Sequence, residues 1–498
     1  MVPIARRDLL LFLLVFTSLV VRLLLSPPIW HHAEAREGLV VQEIVRTQQW
    51  ILPFRNGDLP SKPPLFHWLA ALPSLLVGAN DFTVRLPSAI GALVMTIAVF
   101  LMGGAMGVRR TAWLAVGALL GMNGFWDLGT QARVDMVFSA CIAAALGGFF
   151  FWYRDGRNAA RTVCYIASVC AVLAKGPAGM VLPGLAIAGF LAVEGRLRYL
   201  WKFWSWPLAG VVLLLDVGWY AFAYRIGGND FLGLQILREN VDRFLGRGAF
   251  SGQNTSLNTV LWLADLMLPW SVVLLWSLIR RIRGAREDWA GRFLHAWWIS
   301  IFGFFVLAAR ARPDYLLPVY PAIALLAGRA LGDMMPRLAE PAGFDSVPKT
   351  PDSSEHPPRP RQIAKRVGIA IALFDLTLML VNPKFFRDSK LRNARLAIIK
   401  EIDAIVPKNR SLFATPEFDN SDTVVIAYRL GREIDRKPIT CAGRNDYFLL
   451  PLDVRDVADV KTRILAASKI AKIALVAVNS ETLVSQNLDC VRRPARLF

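Results

Sequence analysis

Apolar residues in this chain gather into long unbroken runs rather than into the alternation of half-buried strands. Runs long enough to cross about 30 Å of hydrocarbon, roughly 17 to 25 residues each, fall at 8–26, 86–106, 112–129, 136–153, 162–174, 178–193, 207–225, 258–279, 293–309, 315–334 and 367–383. The pattern predicts eleven spans, the fifth and sixth short and joined by Lys175-Gly176-Pro177. The first run lacks the small-residue cleavage site of a signal peptide and is expected to stay as an anchor. Residues 34–48 change pattern. Leu39, Val40, Ile44 and Val45 fall on one side, with Arg36, Glu43 and Arg46 elsewhere, which predicts an amphipathic helix on the membrane surface.

Past the last run, short apolar stretches (411–414, 423–428, 473–478) alternate with helix-like ones (392–405, 457–468), the βα rhythm of a small domain. The Pro-rich, mixed-charge segment 338–366 reads as a linker without a core. The expected fold is an α-helical polytopic membrane protein with about eleven transmembrane helices, a juxtamembrane helix in its first outer loop and a small C-terminal α/β domain. The divisions are 1–337 (transmembrane), 338–366 (linker), 367–383 (last span) and 384–498 (α/β domain).

Composition agrees. Of 498 residues, 55% are hydrophobic and only 19% charged, with a mean hydropathy of +0.41, whereas soluble domains carry roughly 25% charged residues. Sixteen Trp and 29 Phe exclude a disordered chain. A net charge of +19 would suggest nucleic acid as partner in a soluble protein. Here it reads as topology, with membrane lipids and no nucleic acid as partners. Arg6-Arg7, Arg109-Arg110, 154–161, 196–202, 280–292 and 337–366 occupy every second loop, which puts them in the cytoplasm. The N-terminus is then inside, and 384–498 is periplasmic at a bacterial cytoplasmic membrane. The loops 27–85, 130–135, 175–177, 226–257 and 310–314 share that outer side. The five Cys show no metal-binding spacing. Cys441 and Cys490 fall in the oxidising compartment, where a bridge is the expected state and two unjoined thiols the competing one.

The outer loops carry an ordered series of motifs: Glu34-Ala35-Arg36, Trp50 to Pro53, Lys62-Pro63-Pro64-Leu65 with Trp68, Arg85-Leu86-Pro87-Ser88 and Arg133-Val134-Asp135-Met136, then Leu173 to Pro177, Glu239 to Phe244, Leu268-Pro269-Trp270 and Arg312 to Pro318. Over about the first 335 residues this series resembles the polyprenyl-phosphate-dependent glycosyltransferases of the C-type superfamily, related to the aminoarabinose lipid A transferase and the protein O-mannosyltransferases. The resemblance implies a membrane enzyme moving a sugar from a polyprenyl-phosphate donor to a lipid, glycan or protein acceptor. Three positions depart from the family pattern: Ala33 replaces its leading Asp, Ser61 a Glu that binds metal in the lipid A transferase, and Asn240 a His.

Breaking the anomeric bond places charge on a phosphate oxygen while the sugar becomes oxocarbenium-like, so cations must face that phosphate. Lys62, Arg85, Lys175, Arg243 and Arg312 are the candidates, with Arg suited to bidentate contact and Lys to a point charge. A hydroxyl acceptor needs a general base; Glu34 is the first candidate and Asp135 the second. Both have structural alternatives, Glu34 pairing with Arg36 and Asp135 with Arg133. Arg36, Arg133, Glu239 and Tyr315 are expected to complete the cavity. No cofactor is required by this reading, and a divalent metal at His31, His32, His67 and Glu34 is the less favoured option. The alternative function is a transporter or flippase for lipid-linked sugars, which often shows repeated halves; no internal repeat is visible.

Overall fold

The computed structural model describes residues 4–247, 256–267, 270–282, 287–334, 389–437, 439, 446–451, 462–469 and 471–478. The chain divides into two compact units, one of Met1–Ser26, Ser61–Ala70 and Arg85–Ala372, the other of Pro27–Pro60, Ala71–Val84 and Leu373–Phe498.

The first unit is helical. Among the described residues six helices are long and apolar enough to cross a membrane: Arg6–Leu25, Asp81–Met106, Val134–Asp155, Trp206–Leu245, Trp289–Leu307 and Pro313–Asp333. Leu257–Asp265 and Trp270–Ile279, bent by 115°, add a seventh if they form one span. The differences from the eleven expected runs have local causes. The run 112–129 breaks at Gly121-Met122 into Arg109–Leu120 and Asn123–Gly129. The run 162–174 extends to Asn158–Lys175, which Gly176 ends at φ +86°, a backbone region open mainly to glycine, before Ala178–Val193 begins after Pro177. The run 207–225 continues to Leu245 across a break at Gly228, where φ is +58° and ψ −150°. The run 367–383 lies outside the described residues.

Val134–Asp155 is the most deeply buried of the six. Lipid tails are as apolar as Leu, so helices in a membrane associate through close packing rather than through a hydrophobic drive, and small residues permit it. A Cβ on Gly148 would stand 2.7 Å from the carbonyl oxygen of Ala160 and the amide nitrogen of Cys164 on the next helix. One on Gly328 would stand 2.6 Å from the Ala115 backbone. Backbone cannot yield as a side chain can. Gly148→Val is therefore expected to cost at least about 1 to 3 kcal/mol and to lower the thermal midpoint of the detergent-solubilised protein; a wild-type midpoint would refute this packing. Phe149 stacks on Phe293 and meets Phe190 and Phe203 edge-on, extending the same core.

The second unit joins segments near the start of the chain, Pro27–Pro60 and Ala71–Val84, to its C-terminal part. Helix His32–Thr47 starts with His31 Nδ1 accepting from the Ala33 amide, and stops where Gln48 turns left-handed at φ 58°. Five strands, β1 (Leu412–Ala414), β2 (Asp435–Arg436), β3 (Tyr447–Pro451), β4 (Thr462–Ser468) and β5 (Ile473–Val478), form one mixed sheet in the order β2-β1-β3-β5-β4. β1 runs parallel to both β2 and β3, while β5 runs antiparallel to β3 and β4. Phe448, Leu450 and Val476 form its core, with Phe413 and Ile439 against it.

Two expected elements differ. Residues 423–428 belong to a helix, Asn420–Leu430, because Asp419 caps its start by accepting from Ser421 and Gly431 closes it left-handed. Within 457–468 the described part is strand β4, drawn into the sheet by pairing with β5. Helix Asn420–Leu430 packs on His32–Thr47. The Tyr428 ring fills the space a side chain at Gly38 would need. Gln42 donates to the Tyr428 carbonyl at 3.0 Å, and the Tyr428 hydroxyl donates to Asp81 at 2.8 Å. Asn56 and Ile434 exchange two bonds of 2.9 and 2.8 Å.

Candidate active site

Within the first unit the sequence places opposite charges at facing helix ends. Asp135 lies in the first turn of Val134–Asp155 and Lys175 in the last turn of Asn158–Lys175. Each charge is favoured by its own helix dipole, and the two helices pack side by side. Lys175 Nζ donates to Asp135 Oδ1 at 2.5 Å and stands 4.0 Å from the centre of the Tyr315 ring. The other Asp135 oxygen lies 3.3 Å from Arg133, which also pairs with Asp314. Both oxygens of Asp135 are thus engaged by cations.

A second group adjoins it. Lys62 Nζ donates to Glu239 Oε2 at 2.8 Å. Arg243, one turn after Glu239, reaches Glu239 at 3.1 Å and donates to the Tyr315 hydroxyl at 2.6 Å. Tyr315 is held there by a 3₁₀ turn, Pro313–Val319. The Glu239 and Arg243 backbone belongs to a π-helical stretch, Gly233–Asp242, and the turn after it.

These residues border a cavity of about 370 Å³. One part of its wall is Lys62, Lys175, Glu239, Arg243, Arg310 and Tyr315; most of the remainder is apolar, including Phe138, Val181, Phe244 and Phe305. The ionic side chains Lys62, Lys175, Glu239 and Arg243 are 10 to 14% exposed. Water screening is weak at that burial, so an anion arriving there meets strong fields.

Of the expected phosphate-binding residues, Lys62, Lys175 and Arg243 line the cavity. Arg85, buried on Asp81–Met106, and Arg312, exposed at the start of the 3₁₀ turn, do not. Arg310 and Asn240 line it instead. Neither stood out in the sequence as a site residue, although Asn240 sits in the Glu239 to Phe244 motif. Arg133 acts on Asp135 and Asp314, and Asp314 is a further ionic partner that sequence reasoning missed.

Glu34 and Arg36 belong to the second unit. Glu34 is buried in the first turn of His32–Thr47, and Arg36 holds Glu37 with bonds of 2.9 and 2.6 Å. Burial, and then the charges of Arg36 and Arg55, push the His32 imidazole down from 6.5 to about 4. The fold favours its neutral form. That contribution is complete above pH 6.5 and is lost as pH falls from 6.5 toward 4. Thermal midpoints are expected to drop across that window, with a shallower drop in His32→Gln; equal slopes in the two proteins would place the acid sensitivity elsewhere. Among the described residues no group of three or more His, Cys, Asp or Glu is placed to hold a metal.

Residues 61–220 match the family described as dolichyl-phosphate-mannose-protein mannosyltransferase. Among curated proteins, the chain is 27% identical over 311 residues to an undecaprenyl phosphate-alpha-4-amino-4-deoxy-L-arabinose arabinosyl transferase of Shewanella sediminis, covering 61% of this chain and 56% of that one. A protein of the same name from Pseudomonas savastanoi pv. phaseolicola is 27% identical over 319 residues, 61% and 57% of the two chains. The chain therefore spans a little over half the length of these relatives. Among solved structures, the fold matches that of ArnT from Cupriavidus metallidurans bound to undecaprenyl phosphate, with a TM-score of 0.74 and 17% identity over 94% of this chain and 97% of that one.

Proposed function

We propose, for a chain related in sequence and fold to the polyprenyl-phosphate-dependent glycosyltransferases of the C-type superfamily, an integral membrane enzyme that transfers a sugar from a polyprenyl-phosphate donor to a lipid, glycan or protein hydroxyl. The observation that carries this is the cavity's two-part wall. Lys62, Lys175 and Arg243 offer a buried cationic end for a phosphate, and Phe138, Val181, Phe244 and Phe305 an apolar surface for an isoprenoid chain.

In the reaction the bond between the anomeric carbon and the phosphate oxygen breaks and its electron pair stays on that oxygen. The acceptor oxygen bonds to the anomeric carbon, and the acceptor proton passes to a base, with Glu34 the first candidate. The donor diester has one negative charge. The released monoester approaches two, so charge grows where the cations already point, which favours the transition state over the bound donor. Transfer rather than movement of the lipid between leaflets is supported by the run of matched residues, 61–220, in a transferase family. Proteoliposomes containing purified protein, an undecaprenyl-phosphate-linked sugar and an acceptor lipid are expected to yield glycosylated acceptor; relocation of the donor without transfer would replace this reading.

The site faces the periplasm, the N-terminus lies in the cytoplasm, and the C-terminal α/β domain is periplasmic. The alternation of basic loops supports this orientation. The expected bridge between Cys441 and Cys490 lies outside the described residues, while Cys141, Cys164 and Cys170 are free thiols. Alkylation of denatured, unreduced protein is expected to modify three cysteines; five would exclude the bridge and weigh against an oxidising location.

A further inference from the structure

Two carboxylates hold three of the cations that line the cavity, Lys62, Lys175 and Arg243, and they differ in access. Asp135 receives Lys175 at 2.5 Å and Arg133 at 3.3 Å and is not part of the cavity wall. Glu239 is part of that wall, accepting from Lys62 at 2.8 Å and Arg243 at 3.1 Å. An anion entering the cavity reaches those two cations where Glu239 now sits.

Glu239 also stands on backbone able to move it. It belongs to the π-helical stretch Gly233–Asp242, in the helical segment that follows the break at Gly228. A π turn closes its hydrogen bond one residue further along than an α turn. Conversion to α geometry shifts the register by one residue, about 100° around the axis, and swings a side chain away without unfolding the helix.

We propose that Glu239 is an internal anion of the donor site: it occupies Lys62 and Arg243 between turnovers, yields them to the donor phosphate, and returns to displace the spent carrier. This rests on the donor-phosphate reading above. Cations arranged to favour growth of charge during transfer hold the doubly charged product more tightly than the singly charged donor, and product would accumulate on the enzyme. A carboxylate tethered beside the same two cations competes at high effective concentration and offsets that retention. Asp135, set behind Lys175, keeps that lysine in place throughout.

The expected effect has an unusual sign, since removing a charged residue from the site strengthens binding. Undecaprenyl monophosphate titrated into the purified full-length protein is expected to bind Glu239→Gln about tenfold more tightly than wild type, the worth of one charge-assisted contact. In the transfer assay the variant is expected to show a burst of one turnover followed by a slower steady rate, with stronger inhibition by added undecaprenyl monophosphate than wild type shows. Glu239→Asp, a second variant should the Gln protein not fold, draws the carboxylate back by one methylene and is expected to shift both readings the same way by a smaller factor. Equal or weaker binding by the folded variants would overturn the proposal and make Glu239 a fixed support for Lys62. A wild-type protein that binds no undecaprenyl monophosphate would overturn the donor-site reading itself, whereas wild-type binding without a gain in the variants removes this proposal alone.

Discussion

Glu34→Gln is expected to lower sugar transfer by about 10²- to 10⁴-fold, the range for loss of a general base, while the affinity for undecaprenyl monophosphate stays at the wild-type value. The substitution preserves side-chain shape and removes only the charge. Asp135 is the weaker candidate because of the contacts it already makes. Asp135 has one oxygen on Lys175 and the other beside Arg133, an arrangement that commits this carboxylate to holding the cations. Gln keeps the shape of the Glu34 side chain and leaves Lys62, Lys175 and Arg243 unchanged, so phosphate affinity is expected to stay intact. Initial rates with labelled donor, measured at saturating acceptor, test it. A wild-type rate in Glu34→Gln would give the residue a structural role and return the search for a base to the first unit.

The second large effect concerns affinity. Lys62→Ala and Arg243→Ala are each expected to raise the dissociation constant for undecaprenyl monophosphate about tenfold or more, since a charge-assisted bond contributes roughly 1.5 to 3 kcal/mol. Arg243 adds a second consequence because it donates to the Tyr315 hydroxyl, and its removal loosens the ring over which Lys175 sits. The pair is expected to be non-additive, because both cations bind Glu239 and neighbours that share a partner couple. Isothermal titration of the two single variants and the double variant decides this. Unchanged constants in both single variants would place the phosphate elsewhere.

Much of this site was legible because its residues sit in short motifs whose polar members interrupt apolar runs. Lys62 in Lys-Pro-Pro, Lys175 in Lys-Gly-Pro, Arg243 after Glu239, and Tyr315 after Pro313-Asp314 all meet at one cavity. Arg310 was not legible. It and Arg312 are two residues apart on the same short loop, and only the 3₁₀ turn beginning at Pro313 turns Arg312 outward. The fold failed to show where local preference opposed context. Thr423-Val424-Val425-Ile426 has the β-branched composition of a strand, yet the cap at Asp419 and the stop at Gly431 were present in sequence and mark a helix. The register of β4 on β5 is set by pairing between chain segments, including an irregularity at Ile464 to Ala466. Span lengths were blurred for a related reason: hydropathy runs continuously through Gly121 while the helix does not.

The contact between Gln42 and Tyr428 links residues 386 positions apart in the chain. At synthesis rates of about 5 to 20 residues per second, the helix that carries Glu34 emerges roughly 20 to 80 s before the tyrosine that packs on Gly38. During that interval the Gly38 and Gln42 surface lacks its Tyr428 partner, and chains arrested early never gain it. Packing of the His32–Thr47 helix is therefore among the last events in biogenesis: a nascent chain whose cationic cavity is already translated still lacks the Tyr428 contact that closes over Gly38 until ribosomes have passed the helix Asn420–Leu430.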